Sequence, residues 1–444
     1  MAAAPIKLDM LGDEETRAGN YFVSTYPPFS FWKPDHVGDA LAAFEQAPDP
    51  STPLGLYLHV PFCRKRCHFC YFRVYTDKNA AEIARYVDAC IAELGRYAAM
   101  PFIGGRTPRF VYFGGGTPSY LSTEQLRRLT DAMKAHLSWD DVEEVTFECE
   151  PGTLTELKIS TIRDIGVTRL SMGVEHFEER ILRLNGRAHG AKEIDRAYGF
   201  ARAAGFPQIN IDLIAGMMGD TDEDWDAAID KTIAMGPDSV TIYQMEIPYN
   251  TTIFAQMQQE GNEVAPVATW AKKREWVDHA YSRLESAGYT VTSAYTAVKD
   301  PAKATFVYRD QLWKGADLVG IGVASISHVG GVHYQNQHNI DPYMEAVEAG
   351  RLPIHRALRP TAEESLIREA VLQFKLGSLD LDYFRAKFGV DLRERFPDAL
   401  AAIRSTGHLT EDAHRLSLDR AGLLRVDRLV HEFFLPPHRD ARYA

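Results

Sequence analysis

The 444-residue sequence has few cysteines, no long apolar run and no excess of positive charge. Its five cysteines are an odd number, and three of them lie within eight residues, which is not the pattern of a secreted disulfide framework. No uncharged apolar run approaches the roughly 18 residues that a membrane helix needs. Forty-nine Lys and Arg against sixty-one Asp and Glu give a net charge of −12, which argues against nonspecific binding of nucleic acid.

The composition is that of an ordinary globular protein, with 45% hydrophobic and 25% charged residues, and this excludes a disordered or collagen-like chain. Charged residues such as Lys7 and Asp9 interrupt what would have to be the apolar stretch of a signal peptide. We therefore expect a soluble, cytoplasmic protein without an integral membrane segment. Its length fits two or three domains, or one large α/β barrel with additions.

From residue 54 onward, short apolar runs alternate with amphipathic stretches of helical period. The run from Leu54 to Val60 precedes a helical stretch from Ala80 to Tyr97, and similar pairs follow to about residue 235. Repeated βα units with right-handed crossovers predict a parallel sheet, either open or closed into a barrel. The segment from Thr290 to Tyr295 is expected to add a further strand.

Changes in composition predict three parts. Residues 1–52 are rich in proline and aromatic residues and form an N-terminal arm. Residues 53–355 carry the βα units. Residues 356–444 contain charged helices and short alternating segments, which predict a C-terminal helical domain of winged-helix size.

The strongest chemical signal is a CxxxCxxC motif, formed by Cys63, Cys67 and Cys70 just after the first predicted strand. Three thiolates can hold a cubane iron–sulfur cluster and leave one iron open for a ligand, whereas a structural zinc site needs four ligands. His68 is a candidate for the fourth zinc ligand, but it lies inside the loop and would have to fold back. The spacing favours a cluster over zinc or unliganded thiols.

A second signal is the glycine-rich segment Gly114-Gly115-Gly116-Thr117-Pro118, which follows the second predicted strand. Glycines there allow the backbone to approach a ligand without obstruction by side chains. Alone, the segment is equally consistent with a tight turn between a strand and a helix.

Together, the cysteine loop and the glycine turn resemble the radical S-adenosylmethionine (SAM) superfamily. This resemblance implies a partial (βα)6 barrel, a [4Fe-4S] cluster on the three cysteines, and SAM bound to the open iron. Reductive cleavage of the SAM sulfonium would release a 5′-deoxyadenosyl radical. The glycine turn resembles the superfamily's binding site for the methionyl amine.

Within the superfamily, residues from about Tyr57 to Leu424 resemble the oxygen-independent coproporphyrinogen III dehydrogenase family. Matching segments include Tyr57-Leu58-His59-Val60-Pro61-Phe62-Cys63, Asn210-Ile211-Asp212-Leu213-Ile214 and Gly320-Ile321-Gly322-Val323-Ala324-Ser325-Ile326-Ser327. Carried over residue by residue, the resemblance implies cofactor contacts from Tyr57, Phe69, Gly115, Gly116, Thr117, Glu148, Glu175, Arg187, Asp212 and Ile326. His59, Glu175 and Tyr243 are the candidate catalytic residues, with His59 considered for proton handling or packing.

The sequence departs from the family pattern in three places. Phe72 stands where a further cysteine is usual, Glu175 replaces a glutamine, and the segment Phe306–Trp313 replaces one rich in threonine and glutamine. Because these departures fall around cofactor and substrate, we expect C-methylation of an sp² carbon, for example of a quinone or polycyclic acceptor, with two SAM molecules. The alternatives are oxidative decarboxylation of coproporphyrinogen III, or a haem chaperone or haem-degrading relative.

The expected partners are a large conjugated small-molecule substrate and a low-potential electron donor such as flavodoxin or ferredoxin. We expect no nucleic-acid partner and a monomeric enzyme.

Overall fold

A computed structural model describes residues 15–19, 21–439 and 441. The chain forms two compact units. The first unit contains Trp32–Asp212 and Ala304–Pro360, and the second contains the described parts of Met1–Phe31, Leu213–Lys303 and Thr361–Ala444. The three-part division by residue number expected from the sequence stays a prediction.

The strands of the described residues, in chain order, are β1 (Leu54–Val60), β2 (Phe110–Gly115), β3 (Glu144–Cys149), β4 (Arg169–Glu175), β5 (Gln208–Ala215), β6 (Ser239–Gln244), β7 (Thr290–Val291), β8 (Thr296–Val298), β9 (Asp317–Ile321), β10 (Ile326–Val329), β11 (Val332–Asn336), β12 (Ile354–Leu358), β13 (Ser378–Asp380), β14 (Leu409–Glu411) and β15 (Arg415–Leu418). The α-helices are α1 (Val37–Phe44), α2 (Ala80–Ala98), α3 (Thr123–His136), α4 (Glu156–Asp164), α5 (Glu179–Leu184), α6 (Ala191–Ala203), α7 (Asp222–Met235), α8 (Thr252–Glu260), α9 (Trp270–Ser286), α10 (Val307–Leu312), α11 (Ile340–Glu348), α12 (Ala362–Phe374), α13 (Leu381–Phe388), α14 (Leu392–Arg395), α15 (Pro397–Ser405), α16 (Arg420–Leu423) and α17 (Val426–Leu429).

The first unit is built on parallel strands in the order β9, β1, β2, β3 and β4. Strands β10, β11 and β12 continue from β9 with antiparallel pairing. Strand β5 begins in this unit at Gln208, and the division between the units falls after Asp212. Apolar runs buried on both faces, joined by amphipathic helices, produce this arrangement. The predicted α/β fold with a parallel sheet is confirmed.

Side chains at the helix starts explain why the helices begin where they do. The Asn79 side chain accepts hydrogen bonds from the backbone N–H groups of Ala81 and Glu82, and the Glu82 carboxylate accepts one from the Asn79 N–H. This reciprocal pair is a capping box. Ser122 and Gln125 make the same reciprocal pair at the start of α3. Both caps satisfy N–H groups that have no partner within the helix.

The second unit contains an antiparallel pair of β6 with β8, and β7 pairs with β8 in the same sense. Of the predicted strand from Thr290 to Tyr295, only Thr290 and Val291 form a strand (β7); a turn follows, and β8 begins at Thr296. Helices α12 to α17 surround the three-stranded sheet β13-β15-β14, and the predicted C-terminal helical domain is present. Every helix among the described residues is too short or too polar to cross a membrane.

The aromatic residues of the N-terminal arm pack within their own units. In the second unit, the Tyr26 hydroxyl lies 2.6 Å from His438 Nδ1, and the Phe22 ring lies 5.3 Å from the Tyr295 ring. In the first unit, Trp32 stacks on His333 at 5.1 Å. These contacts give the arm a packing role.

A buried carboxylate on α2 holds the glycine segment that follows β9. Glu93 is completely buried and accepts hydrogen bonds from the Gly322 N–H (2.8 Å), Asn336 Nδ2 (2.6 Å) and the Tyr343 hydroxyl (2.6 Å). Burial raises the pKa of Glu93 to about 7, and the three donors oppose this rise. The position of the Gly322 loop depends on this side chain.

Replacing Glu93 with alanine should destabilise the first unit by about 3 kcal/mol, because three buried donors lose their acceptor together. A lower midpoint of urea unfolding, followed by circular dichroism, would show this. Glu124→Ala, at an exposed position in the first turn of α3, is the control and should change the midpoint little. Equal midpoints for the two variants would contradict the assigned role of Glu93.

Candidate functional site

The parallel strands of the first unit are buried except at single, partly exposed residues; the space beside these residues is called the cavity below. Tyr57 is the one partly exposed residue of β1, and Glu148 is the one partly exposed residue of β3. Partial exposure also occurs at Tyr112 and Gly115 on β2, at Gly173 and Glu175 on β4, and at Asp212 on β5. Tyr57 pairs in register with Tyr112, and Glu148 with Ser171, so the side chains of Tyr57, Tyr112, Glu148 and Glu175 lie on one side of the sheet, since alternate residues of a strand face the same side.

The cysteine loop begins where β1 ends. Cys63 donates its N–H to the Tyr75 carbonyl at 3.1 Å, and Cys70 donates to the Cys67 carbonyl at 3.2 Å, so the loop is folded back on itself. All three thiols are partly exposed. Burial raises the pKa of Cys63 to about 11 and that of Cys70 to about 12, and in each case a neighbouring cysteine adds to the rise. The three sulfurs therefore act on one another electrostatically.

The donor set fits an iron–sulfur cluster better than it fits zinc. Nδ1 of His68 lies 3.0 Å from the Leu184 carbonyl, and its ring lies against Gly186, so this side chain is engaged away from the thiols. Among the described residues, no three His, Cys, Asp or Glu side chains are already gathered around one metal position. Three thiols on one partly exposed loop, without a fourth ligand, match a cluster that keeps one iron open.

The glycine turn lies directly against the cysteine loop. A Cβ atom on Gly115 would stand 2.7 Å from the His59 ring, and a Cβ on Gly116 would stand 3.1 Å from Cys63 Sγ. Gly115 also has φ +109°, which side chains disfavour. Thr117 Oγ1 lies 3.3 Å from Cys63 Sγ. Only glycine allows the turn to approach this closely.

Glu148 is the central carboxylate of the cavity. It accepts hydrogen bonds from the Tyr112 hydroxyl at 2.5 Å and from the Gly115 N–H at 3.1 Å. Burial raises the pKa of Glu148 to about 7, and the charge of Asp212 adds to this rise. The carboxylate is placed to accept a cation beside the glycine turn.

Glu175 and Arg187 form an ion pair next to the cysteines. Their closest atoms, Glu175 Oε1 and Arg187 Nη1, are 3.6 Å apart, and Arg187 Nη1 also lies 3.3 Å from Cys67 Sγ. Burial raises the pKa of Glu175 to about 7, while Arg187 opposes the rise. Glu175 has φ +66°, a strained conformation for this residue, which the pair helps to hold.

Asp212 and His59 complete the polar lining. Asp212 accepts from Ser171 Oγ and from Asn210 Nδ2, both at 2.9 Å. His59 is 4% exposed, its Nδ1 lies 3.1 Å from the Tyr57 hydroxyl, and its Nε2 is buried without a partner among the described residues. Burial lowers the pKa of His59 to about 4, so its ring is neutral at pH 7.

Three expected site residues are not brought into this cluster by any described contact. Phe69 lies partly exposed on the cysteine loop, and Ile326 begins β10 opposite Gln335. Tyr243 belongs to the second unit, where it stacks on Tyr295 at 6.2 Å. Their assigned roles stay predictions.

A network that the sequence did not reveal supports the cysteine loop from behind. The Glu150 carboxylate accepts from Gly152 N–H at 3.0 Å, pairs with Arg64 Nε at 3.3 Å and lies 2.8 Å from His189 Nδ1. Arg64 lies between the first two cysteines, so the network ties the loop to β3 and α6. In the sequence, Arg64, Glu150 and His189 are single polar residues far apart in the chain, and no local pattern links them.

Comparison with known proteins identifies this arrangement. The radical SAM superfamily profile matches residues 57–232, and the HemN C-terminal domain profile matches residues 361–425. The haem chaperone HemW of Mycobacterium tuberculosis is 31% identical over 86% of this chain and 95% of its own length. The chain belongs to the radical SAM family of oxygen-independent coproporphyrinogen III oxidase and HemW.

Two further relatives extend the match. The oxygen-independent coproporphyrinogen III oxidase of Cereibacter sphaeroides is 28% identical over 98% of both chains. The solved structure of the Escherichia coli coproporphyrinogen III oxidase HemN has a TM-score of 0.80, with 23% identity, over 94% of this chain and 99% of the HemN chain. The protein is thus a radical SAM enzyme of this fold, a class that uses a [4Fe-4S] cluster and SAM.

The expectation of C-methylation is wrong. These relatives are named as coproporphyrinogen oxidases and haem chaperones. The departures that suggested methylation have local structural uses: Glu175 pairs with Arg187, and Tyr308 of α10 packs its ring 4.3 Å from Tyr112. These residues therefore do not require a second reaction type.

Loss of one cysteine should remove the cluster. In Cys67→Ala, two thiolates remain, which is too few to hold a cubane, so the visible absorbance of the reconstituted protein should fall to background. Cys90→Ala is the matched control, since Cys90 is buried against the Tyr343 hydroxyl away from the loop and the cluster should survive. A full cluster in Cys67→Ala would refute the ligand assignment.

The affinity for SAM should depend on the ionisation of Glu148. Because burial raises its pKa to about 7, the carboxylate is mostly protonated at pH 6 and mostly charged at pH 8, and binding should tighten about tenfold between them. Isothermal titration calorimetry of the reconstituted protein measures this change. Glu148→Gln should bind weakly at both pH values. If the affinity of Glu148→Gln for SAM changes with pH as much as that of the wild type, a group other than Glu148 causes the pH dependence.

Proposed function

We propose that this radical SAM enzyme converts coproporphyrinogen III to protoporphyrinogen IX by oxidative decarboxylation. Two propionate arms become vinyl groups with loss of carbon dioxide, and SAM is the oxidant, since its reduction to 5′-deoxyadenosine and methionine takes up the two electrons that each arm loses. The observation that carries the proposal is the cavity above the parallel strands, where carboxylates, one arginine and a wall of tyrosines converge on the cysteine loop. The match over 98% of both chains with a protein named as the oxidase supports the same conclusion.

The polar residues of the cavity suit SAM. The Glu148 and Asp212 carboxylates would hold its ammonium group or ribose hydroxyls, and Arg187 would pair with its carboxylate. Gly115 and Gly116 leave backbone groups open to the methionyl end. The neutral ring of His59, buried beside this turn, would handle a proton or complete the packing.

A [4Fe-4S] cluster on Cys63, Cys67 and Cys70 would supply the electron that cleaves the SAM sulfonium bond. That electron has to come from a low-potential donor, for which a flavodoxin or ferredoxin is suitable. The ligands must stay reduced thiols before the cluster is assembled, so we place the enzyme in the cytoplasm.

The tyrosine wall offers a flat apolar surface for a tetrapyrrole. The Tyr57 and Tyr112 rings stack at 5.9 Å, and the Tyr308 ring lies 4.3 Å from that of Tyr112. Tyr71 and Phe72, on the cysteine loop, form a second stacked pair at 4.5 Å and are about 40% exposed. Rings of this kind bind large conjugated molecules through their faces.

A haem chaperone is the second candidate, because the relative that is 31% identical bears that name. Its match covers 86% of this chain, against 98% for the oxidase. The oxidase is therefore our first choice.

Anaerobic incubation of the reconstituted, reduced enzyme with SAM and coproporphyrinogen III decides between them. We expect 5′-deoxyadenosine without S-adenosylhomocysteine, together with loss of carbon dioxide from the substrate, by mass spectrometry. Cys67→Ala is the control and should give none of these products. Tight haem binding without any conversion of coproporphyrinogen would instead identify a chaperone.

A further inference from the structure

Two arginines of the first unit lie against one phenylalanine ring. The guanidinium carbons of Arg169 and Arg309 are 4.1 Å and 5.7 Å from the centroid of the Phe306 ring. Arg169 is the first residue of β4, and Phe306 and Arg309 belong to the start of α10. Two guanidinium groups therefore lie close to one apolar surface, where their like charges repel one another.

Each guanidinium carries an N–H group that lacks an acceptor. Arg169 is 2% exposed, and its Nε is buried without a hydrogen-bond partner among the described residues. Arg309 pairs through Nε and Nη2 with Asp310, and its Nη1 is buried and likewise unpartnered in the described part of the chain. Buried charged donors are costly unless something accepts from them.

The carboxylates nearest to Arg169 are already occupied by other donors. Glu144 accepts from the N–H groups of Val307 (2.9 Å) and Tyr308 (3.2 Å) and from Thr146 Oγ1 (3.0 Å). Glu148 is engaged by Tyr112 and Gly115, as described above. The charge of Arg169 acts on the pKa of both glutamates, but neither glutamate makes a hydrogen bond with it. Among the described residues, none accepts from Arg169 Nε or Arg309 Nη1.

The pair of arginines lies beside the cavity. Arg169 and Ser171 alternate along β4 toward the same side as Gly173, which is partly exposed to the cavity. The Phe306 ring lies 6.3 Å from the ring of Tyr112, another partly exposed cavity residue. The two guanidinium groups therefore lie on the same side of the sheet as the cavity residues.

We propose that Arg169, Phe306 and Arg309 form a carboxylate subsite that holds an acidic side chain of the substrate. The two arginines supply hydrogen bonds to the carboxylate, and the Phe306 ring packs against its alkyl arm. The subsite rests on the proposed function, since coproporphyrinogen III carries four propionate arms. Two of its three residues, Phe306 and Arg309, lie in the segment Phe306–Trp313, where this chain departs from the family pattern, so the subsite would set the substrate preference of this chain.

The test compares binding of coproporphyrin III with that of its tetramethyl ester, which has the same macrocycle and no carboxylates. Isothermal titration calorimetry on the anaerobic, reconstituted protein gives both affinities. The wild type should prefer the acid by at least tenfold. Arg309→Gln should weaken binding of the acid by about 10- to 100-fold and leave the ester unchanged, as expected for loss of a charged hydrogen bond.

Arg169→Gln should have the same selective effect, and it checks the subsite from the strand side. Arg163→Gln is the matched control, because Arg163 also lies over an aromatic ring, that of Phe206 at 6.0 Å, but on α4. It should bind both ligands like the wild type. Because Arg309 is partly exposed on a short helix, we expect Arg309→Gln to fold, and this variant still tests the subsite if Arg169→Gln does not fold.

Three results would overturn the subsite. The wild type could bind acid and ester with equal affinity, it could bind neither, or Arg309→Gln could weaken binding of both equally. Its failure is distinct from failure of the proposed function. Selective binding of the acid without release of carbon dioxide would refute the decarboxylation and leave the subsite intact. Carbon dioxide release together with equal binding of acid and ester would refute the subsite and support the decarboxylation.

Discussion

The close approach of the glycine turn to the end of β1 is the constraint on which the site depends. Gly116 donates its N–H to the Val60 carbonyl at 2.8 Å, and a Cβ atom on Gly116 would stand 2.9 Å from that same oxygen. Cys63, three residues beyond Val60, is therefore fixed directly against the turn. Any side chain at Gly116 would push the glycine turn away from the cysteine loop.

The second determinant is an imbalance of charge inside the cavity. Glu148, Glu175 and Asp212 face it, and Arg187 is the cation paired with one of them. Burial and the charge of Asp212 raise the pKa of Glu148 and of Glu175, so a cationic ligand that enters gains more there than at the surface. A sulfonium and an ammonium group on one molecule are well matched to such a site. By the same argument, Arg169 at the start of β4 and Arg309 on α10 favour an anionic ligand.

Much of the first unit could be predicted from the sequence, because buried parallel strands are continuous apolar runs and the connecting helices are amphipathic. The cysteine spacing and the glycine turn likewise depend on residues that are adjacent in the chain. The contacts of Glu150 with His189 and of Glu93 with Gly322 join residues far apart in sequence, and no local pattern reveals them. The turn that follows Val291 was also missed, because the composition of Thr290–Tyr295 does not show where hydrogen bonding stops.

The error about methylation has a physical explanation. A residue that differs from a family pattern near a cofactor can change the chemistry, or it can change only how the pocket is built. Here α10 begins on the Glu144 carboxylate and places Tyr308 against Tyr57 and Tyr112, so the divergent segment closes one end of the cavity. The residues that contact the cysteine loop lie outside this segment, and they include Gly116, Thr117 and Arg187. A change in this segment alters the shape and charge of that end of the cavity, whereas Glu175, the departure beside the cysteines, forms an ion pair with Arg187.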